Sequence, residues 1–188
     1  MNIQKSSYLQ MKTLVFSLVI ISIFAFAKEG TITMQEIEQA QKIWGEGVVA
    51  IGKAYCLGQD YKKVAENHVD SLYSYQFDTV LFKPTKASKK PFRLTREGAV
   101  SYFVGGNLNF PEDEGFALEP WIKVRFENAG TYIHGDCAVA MGNYFFTSKK
   151  NKMKEVKVEY SFGYIKNKDG KLKIILHHSS LPYTKKEE

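Results

Sequence analysis

Val156-Lys157-Val158-Glu159-Tyr160-Ser161-Phe162-Gly163-Tyr164-Ile165 is followed by Asn167-Lys168-Asp169-Gly170 and then by Lys171-Leu172-Lys173-Ile174-Ile175-Leu176-His177-His178-Ser179-Ser180. The first and last stretches alternate β-branched or aromatic residues with polar ones, the signature of half-buried strands. The stretch between them is a hairpin turn, with Gly170 suited to positive φ. In the last strand Leu172, Ile174 and Leu176 alternate with Lys171, Lys173 and Ile175. Period two carried through from there predicts His178 and Ser180 on the apolar face, with His177 and Ser179 facing the other way.

Further strands are expected upstream, at 121–127, 131–134 and 136–147. The region before them is helical. Thr33 and Glu36 form a capping-box pattern, and Ile37, Ile43, Trp44, Val48, Ile51 and Tyr55 recur at roughly helical spacing, predicting a helix over 34–57. Gly45, Gly47 and Gly52 weaken its intrinsic propensity, so packing must hold it. Asp60 caps a second helix to about Ser71, and residues 73–82 read as a strand. Thr95 caps a third helix that ends at Gly105-Gly106. Helices first and a strand meander afterwards, with no βαβ alternation and no repeat, define an α+β fold. Long antiparallel strands twist and curl. The expected architecture is therefore N-terminal helices packed on a strongly curved antiparallel β-sheet, enclosing one conical pocket.

The apolar run Thr13–Phe24 follows Lys12 and precedes Ala25-Phe26-Ala27, a small-x-small cleavage signal. Residues 1–27 read as a cleaved signal peptide and residues 28–188 as one domain, exported to the periplasm or beyond; the run is shorter than the roughly 20 residues of a membrane span. Removing residues 1–27 takes Lys5 and Lys12 and no acidic residue, leaving a balance of +4. Much of the positive charge lies in lysine runs around 86–90 and 149–154, which read as solvated loop tips. No aromatics interleave with them, so a nucleic-acid partner is not expected. Cys56 and Cys137 are compatible either with a bridge in an oxidising compartment or with two buried free thiols.

A buried imidazole two residues from a buried hydroxyl, at the end of a strand, suits a site that accepts a proton and binds a small oxyanion. His178 and Ser180 are the candidates, with His178 as general base, since the reference pKa of histidine, about 6.5, suits that residue type to general base work. Thr85, just after the first strand, and Tyr102, on the third helix, are hydroxyls that could converge there, although ordinary turn and core roles suit them equally. Asp78 and Asp136 are the strand acids an isomerase or cyclase would use, and Asp136 after Gly135 has the look of a turn residue. Of the histidines His68, His134, His177 and His178, the adjacent pair points to opposite faces, and no His-x-His or Glu-x-x-His spacing is present. No metal site or cofactor is expected.

Phe82-Lys83-Pro84-Thr85, Ser101-Tyr102-Phe103-Val104-Gly105-Gly106, Phe110-Pro111-Glu112-Asp113, Gly115-Phe116-Ala117-Leu118 with Pro120-Trp121, Ala140-Met141-Gly142-Asn143-Tyr144 and the terminal His-His-Ser-Ser-Leu-Pro together resemble the iota-class carbonic anhydrases. The resemblance spans nearly the whole chain from the first helix to Pro182. It implies a nuclear transport factor 2-like cone, often dimeric, that interconverts carbon dioxide and bicarbonate. It also implies a pocket of one threonine, one tyrosine, one histidine and one serine, carried here onto Thr85, Tyr102, His178 and Ser180. Thr85, Tyr102 and Ser180 would bind substrate. His177 and Ser179 are the alternative pair, because the choice between the two rests on strand parity. The competing reading is a non-catalytic ligand-binding or dimerisation module of the same fold.

Overall fold

The computed structural model describes residues 30–150 and 152–185; the expected leader, residues 1–27, lies outside them. Helix α1 (Met34–Cys56) begins with the Thr33/Glu36 capping box and buries Ile37, Trp44, Val48 and Ile51, while Ile43 and Tyr55 face outward. Helix α2 (Tyr61–Leu72) is capped by Asp60, and helix α3 (Arg96–Val104) by Thr95, whose hydroxyl accepts from the Gly98 N–H. Strand β1 (Leu81–Lys83) is short, and β2 (Trp121–His134), β3 (Cys137–Ser148), β4 (Glu155–Lys166) and β5 (Leu172–Ser180) are long.

The sheet runs in the order β1-β5-β4-β3-β2. The three pairings among β2 to β5 are antiparallel and β1 pairs with β5 in parallel. The sheet is thus mixed, where a purely antiparallel one was expected, and it is not strongly curled. Parallel neighbours need a long connection, and here α3 and the whole meander separate β1 from β5. The expected strand over 73–82 is mostly a turn. The Phe77 and Asp78 N–H groups both donate to the Ser74 carbonyl, leaving one bridge at Tyr73 to Ile174 before β1 itself.

The core lies between the helices and the inner sheet face. Trp44 stacks on Tyr144 at 5.6 Å between ring centroids and meets Phe103, Phe126, Phe146 and Phe162 edge-on. The lysine runs are exposed at loops, and Asp78 and Asp136 are exposed turn residues. Cys56 and Cys137 are exposed free thiols, not buried ones. The Ile32 N–H donates to the Gly135 carbonyl, which places Cys137 near the N-terminal end of α1. Cys56 closes the other end, about 35 Å away at the rise of an α-helix, so the two cannot bridge in this fold.

Candidate functional site

The inner face of β5 carries His177 and Ser179, not His178 and Ser180. His177 is 2% exposed and Ser179 3%, whereas His178 is exposed and Ser180 half-buried on the opposite face. The cause is a β-bulge. Gly163 pairs with Leu176 and Tyr164 with Ile174, leaving Ile175 as an extra residue without a partner. An extra residue inverts the alternation beyond it. Ile174 faces the core as period two requires, and after Ile175 the odd-numbered positions do. The one warning in the sequence is Ile174-Ile175-Leu176, three apolar residues in succession where strict alternation allows none.

His177 lies in an aromatic box. Its ring stacks on Phe82 at 4.5 Å and meets Phe162 edge-on at 4.3 Å and Trp44 at 5.4 Å. Its Nδ1 is 2.8 Å from the Tyr73 hydroxyl, which also accepts from the Trp44 indole N–H at 2.9 Å. Its Nε2 is buried and has no partner. Burial, reinforced by repulsion from His178 and His68, holds the ring's pKa well below the ordinary histidine value, so it is neutral at neutral pH.

Beside it, on the same face of β5, is a hydroxyl cluster. The Thr85 hydroxyl donates to the Ser179 hydroxyl at 2.9 Å. The Tyr144 hydroxyl faces both, and Tyr102 faces Thr85 from α3. Burial pushes both tyrosines well above the ordinary phenol range, so they remain neutral donors. Thr85 follows β1 directly, and its loop is clamped by Glu112. That carboxylate accepts from the Ser88, Lys89 and Lys90 N–H groups at 2.7–2.8 Å, which lower its pKa to about 2. Next to Glu112, Asp113 takes the buried Arg93 at 2.7 Å and the Ser101 hydroxyl at 2.6 Å, fastening the same loop to α3. A depression of about 490 Å³ reaches Tyr102 from outside, lined by Lys86, Glu112, Asp113, Glu114 and Glu119 among others.

Of the residues singled out in the sequence, the structure therefore brings Thr85 and Tyr102 together with Ser179, and it separates His178 and Ser180 from them. Tyr73, Tyr144 and Trp44 were missed, because nothing in the sequence distinguishes these aromatics from others in the core. Among the described residues no three histidine, cysteine, aspartate or glutamate side chains converge.

The family described as metal-independent carbonic anhydrase matches residues 35–181. A metal-independent carbonic anhydrase of Nostoc sp. strain PCC 7120 is 50% identical over 155 residues, covering 81% of this chain and 75% of the relative. The crystal structure of the iota-carbonic anhydrase from a cyanobacterium, complexed with bicarbonate, superposes with a TM-score of 0.79 at 47% identity, over 82% of this chain and 95% of that one. A nuclear transport factor 2-like protein with a cystatin-like fold from Novosphingobium aromaticivorans, at 10% identity and a TM-score of 0.54 over 81% and 83% of the two chains, shares the fold alone.

Proposed function

The chain belongs to the metal-independent carbonic anhydrase family and hydrates carbon dioxide, and we propose that it does so with His177, Ser179, Thr85 and Tyr102. The observation that carries this assignment is the buried, unpartnered Nε2 of His177 next to the hydroxyl cluster. His177 and Ser179 are two residues apart on one strand face, about 7 Å, a span that a small oxyanion bridges from both ends. Bicarbonate is the ligand of the cyanobacterial relative, and its size and charge suit this row of neutral donors.

Phe82, Phe162 and Trp44 form apolar walls that accept carbon dioxide and exclude bulk water, which strengthens each hydrogen bond inside. Water attacks the carbon, and the hydroxyls donate to the oxygens that gain charge. The proton released passes along Ser179, Thr85 and Tyr102 to solvent in the depression outside Tyr102, each hydroxyl accepting one proton and giving up another once the Ser179–Thr85 hydrogen bond has turned round so that Ser179 donates. His178 and Ser180 line a separate depression of about 330 Å³ on the far side of the sheet, away from Thr85 and Tyr102, which favours His177 over His178 in this reading. Family membership sets aside the non-catalytic binding module.

The test is stopped-flow carbon dioxide hydration after exhaustive chelation, with folding checked by circular dichroism. His177→Ala is expected to lower kcat/KM by about 10²-fold, as loss of a donor to a developing oxyanion does, and His178→Ala to leave it unchanged. The reverse pattern would sink the assignment.

Two further expectations join this proposal. Export is supported by the apolar run Thr13–Phe24 and the Ala25-Phe26-Ala27 signal. A homodimer through the outer sheet face is supported by Tyr132, Val139 and Met141, which expose 68%, 42% and 54% of their surface side by side on β2 and β3, with no helix of the described residues over them.

A further inference from the structure

What His177 can do for the reaction depends on which ring nitrogen carries its proton. The answer is contained in two hydrogen bonds. An indole N–H only donates, so Trp44 Nε1 gives its proton to the Tyr73 oxygen, 2.9 Å away. The phenol has one proton of its own, and its other polar neighbour is His177 Nδ1 at 2.8 Å. If Nδ1–H donated to that oxygen as well, both the phenol proton, with no acceptor among the rings of Trp44, Tyr75 and Phe82, and the bare Nε2 would be left unpaired, whereas the opposite direction leaves only Nε2–H, which a substrate oxygen can satisfy. The favoured arrangement therefore runs in one direction, from indole to phenol to imidazole. A neutral ring that accepts at Nδ1 carries its proton on Nε2. That atom is the buried one with no partner in the protein.

We propose that Trp44 and Tyr73 are positioning residues that hold His177 in its Nε2–H tautomer, so that His177 serves the reaction as a neutral hydrogen-bond donor to a substrate oxygen and not as the base. This rests on the reading of His177 as a substrate contact. Two further features agree with it. Burial keeps the imidazole neutral and keeps the Tyr73 hydroxyl a phenol, its pKa pushed well above the ordinary value. A neutral imidazole acting as an electrophile toward a carbonyl oxygen is established chemistry, provided its pKa is depressed. With Nε2 already protonated, the proton of the attacking water has to leave through the hydroxyl chain.

The experiment is ¹⁵N NMR of histidine-labelled full-length protein, with kcat/KM for carbon dioxide hydration measured on the same samples. In the wild type, His177 is expected to show a protonated Nε2 and an unprotonated, hydrogen-bonded Nδ1. Tyr73→Phe keeps the ring and removes the phenol. It is expected to yield a mixture of tautomers and a loss of about tenfold in kcat/KM, the scale of one hydrogen bond. Trp44→Phe removes the donor that occupies one lone pair of the Tyr73 oxygen but leaves Nδ1 as the acceptor of the phenol proton, so a smaller shift than in Tyr73→Phe is expected. A wild-type ring protonated at Nδ1 would overturn the proposal without any variant. So would a Tyr73→Phe protein that stays wholly Nε2–H with unchanged kcat/KM. A wild-type ring found as Nε2–H together with full activity in His177→Ala would instead remove the substrate-contact reading and leave the tautomer assignment standing.

Discussion

His68 is the second buried histidine, 6% exposed on α2, set against Trp44, Tyr73 and Phe103, with its Nε2 unpaired. Burial lowers its pKa from 6.5 to about 4. Above pH 6.5 the ring is neutral in both folded and unfolded chains. Below it the unfolded chain takes up a proton that the folded one refuses, so stability falls as the pH drops from 6.5 toward 4. The full effect is about 3 kcal/mol, and His177, also depressed, adds in the same direction. Urea unfolding at pH 7 and pH 4.5 should show the difference between the two pH values shrinking by about 2–3 kcal/mol in His68→Gln. An unchanged difference would mean that the ring is not buried neutral. The residue scale is also where the strand-parity reading of β5 departs from the structure. Thr85 and Tyr102 come from motif position in the family resemblance, whereas the choice between His177 and His178 turns on one unpaired residue, Ile175.

Helix α1 carries glycines where helix propensity alone would favour alanine, and the elements packed against it explain them. A Cβ at Gly47 would be 2.1 Å from His68 Nδ1, and one at Gly52 would be 2.7 Å from the Ala117 carbonyl oxygen. The glycines let α1 approach α2 and the 3-10 turn at Phe116–Leu118 more closely than any side chain allows. Gly47→Ala gains about 1 kcal/mol of helix propensity and loses about 1–3 kcal/mol to overpacking against a buried ring. A net loss is expected, read as a lower urea midpoint at unchanged slope. A midpoint that rises would show that His68 has room to move. The glycines were legible as a weakness of the helix, and their partners were not, since His68 and Ala117 are 21 and 65 residues away in the chain. The same limit applies to β1 and β5. Their parallel pairing joins residues more than 90 positions apart, and no local pattern encodes it.

On the scale of the whole molecule, one sheet face is covered by helices and the other is uncovered among the described residues. Substituting Met141→Glu puts a charge in the middle of the exposed Tyr132, Val139 and Met141 row. Sedimentation velocity of the chain from Lys28 should give a dimer for the wild type and a monomer for this variant, because an unpaired charge is costly in a desolvated interface. A wild-type monomer would refute the homodimer. The three helices and their caps, most of the strands, the hairpin turn at Asn167–Gly170 and the α+β class follow from the sequence by itself, because each depends on residues within one or two turns of chain; the turn within 73–82 and the joining of 121–127 and 131–134 into one strand do not. The sequence motifs also sufficed to indicate the family. Which residues of β5 face the core, the parallel β1 edge and the Trp44–Tyr73–His177 chain were decided only by the tertiary structure. Each depends on how distant segments register against one another, and a single unpaired residue there reverses every side chain beyond it.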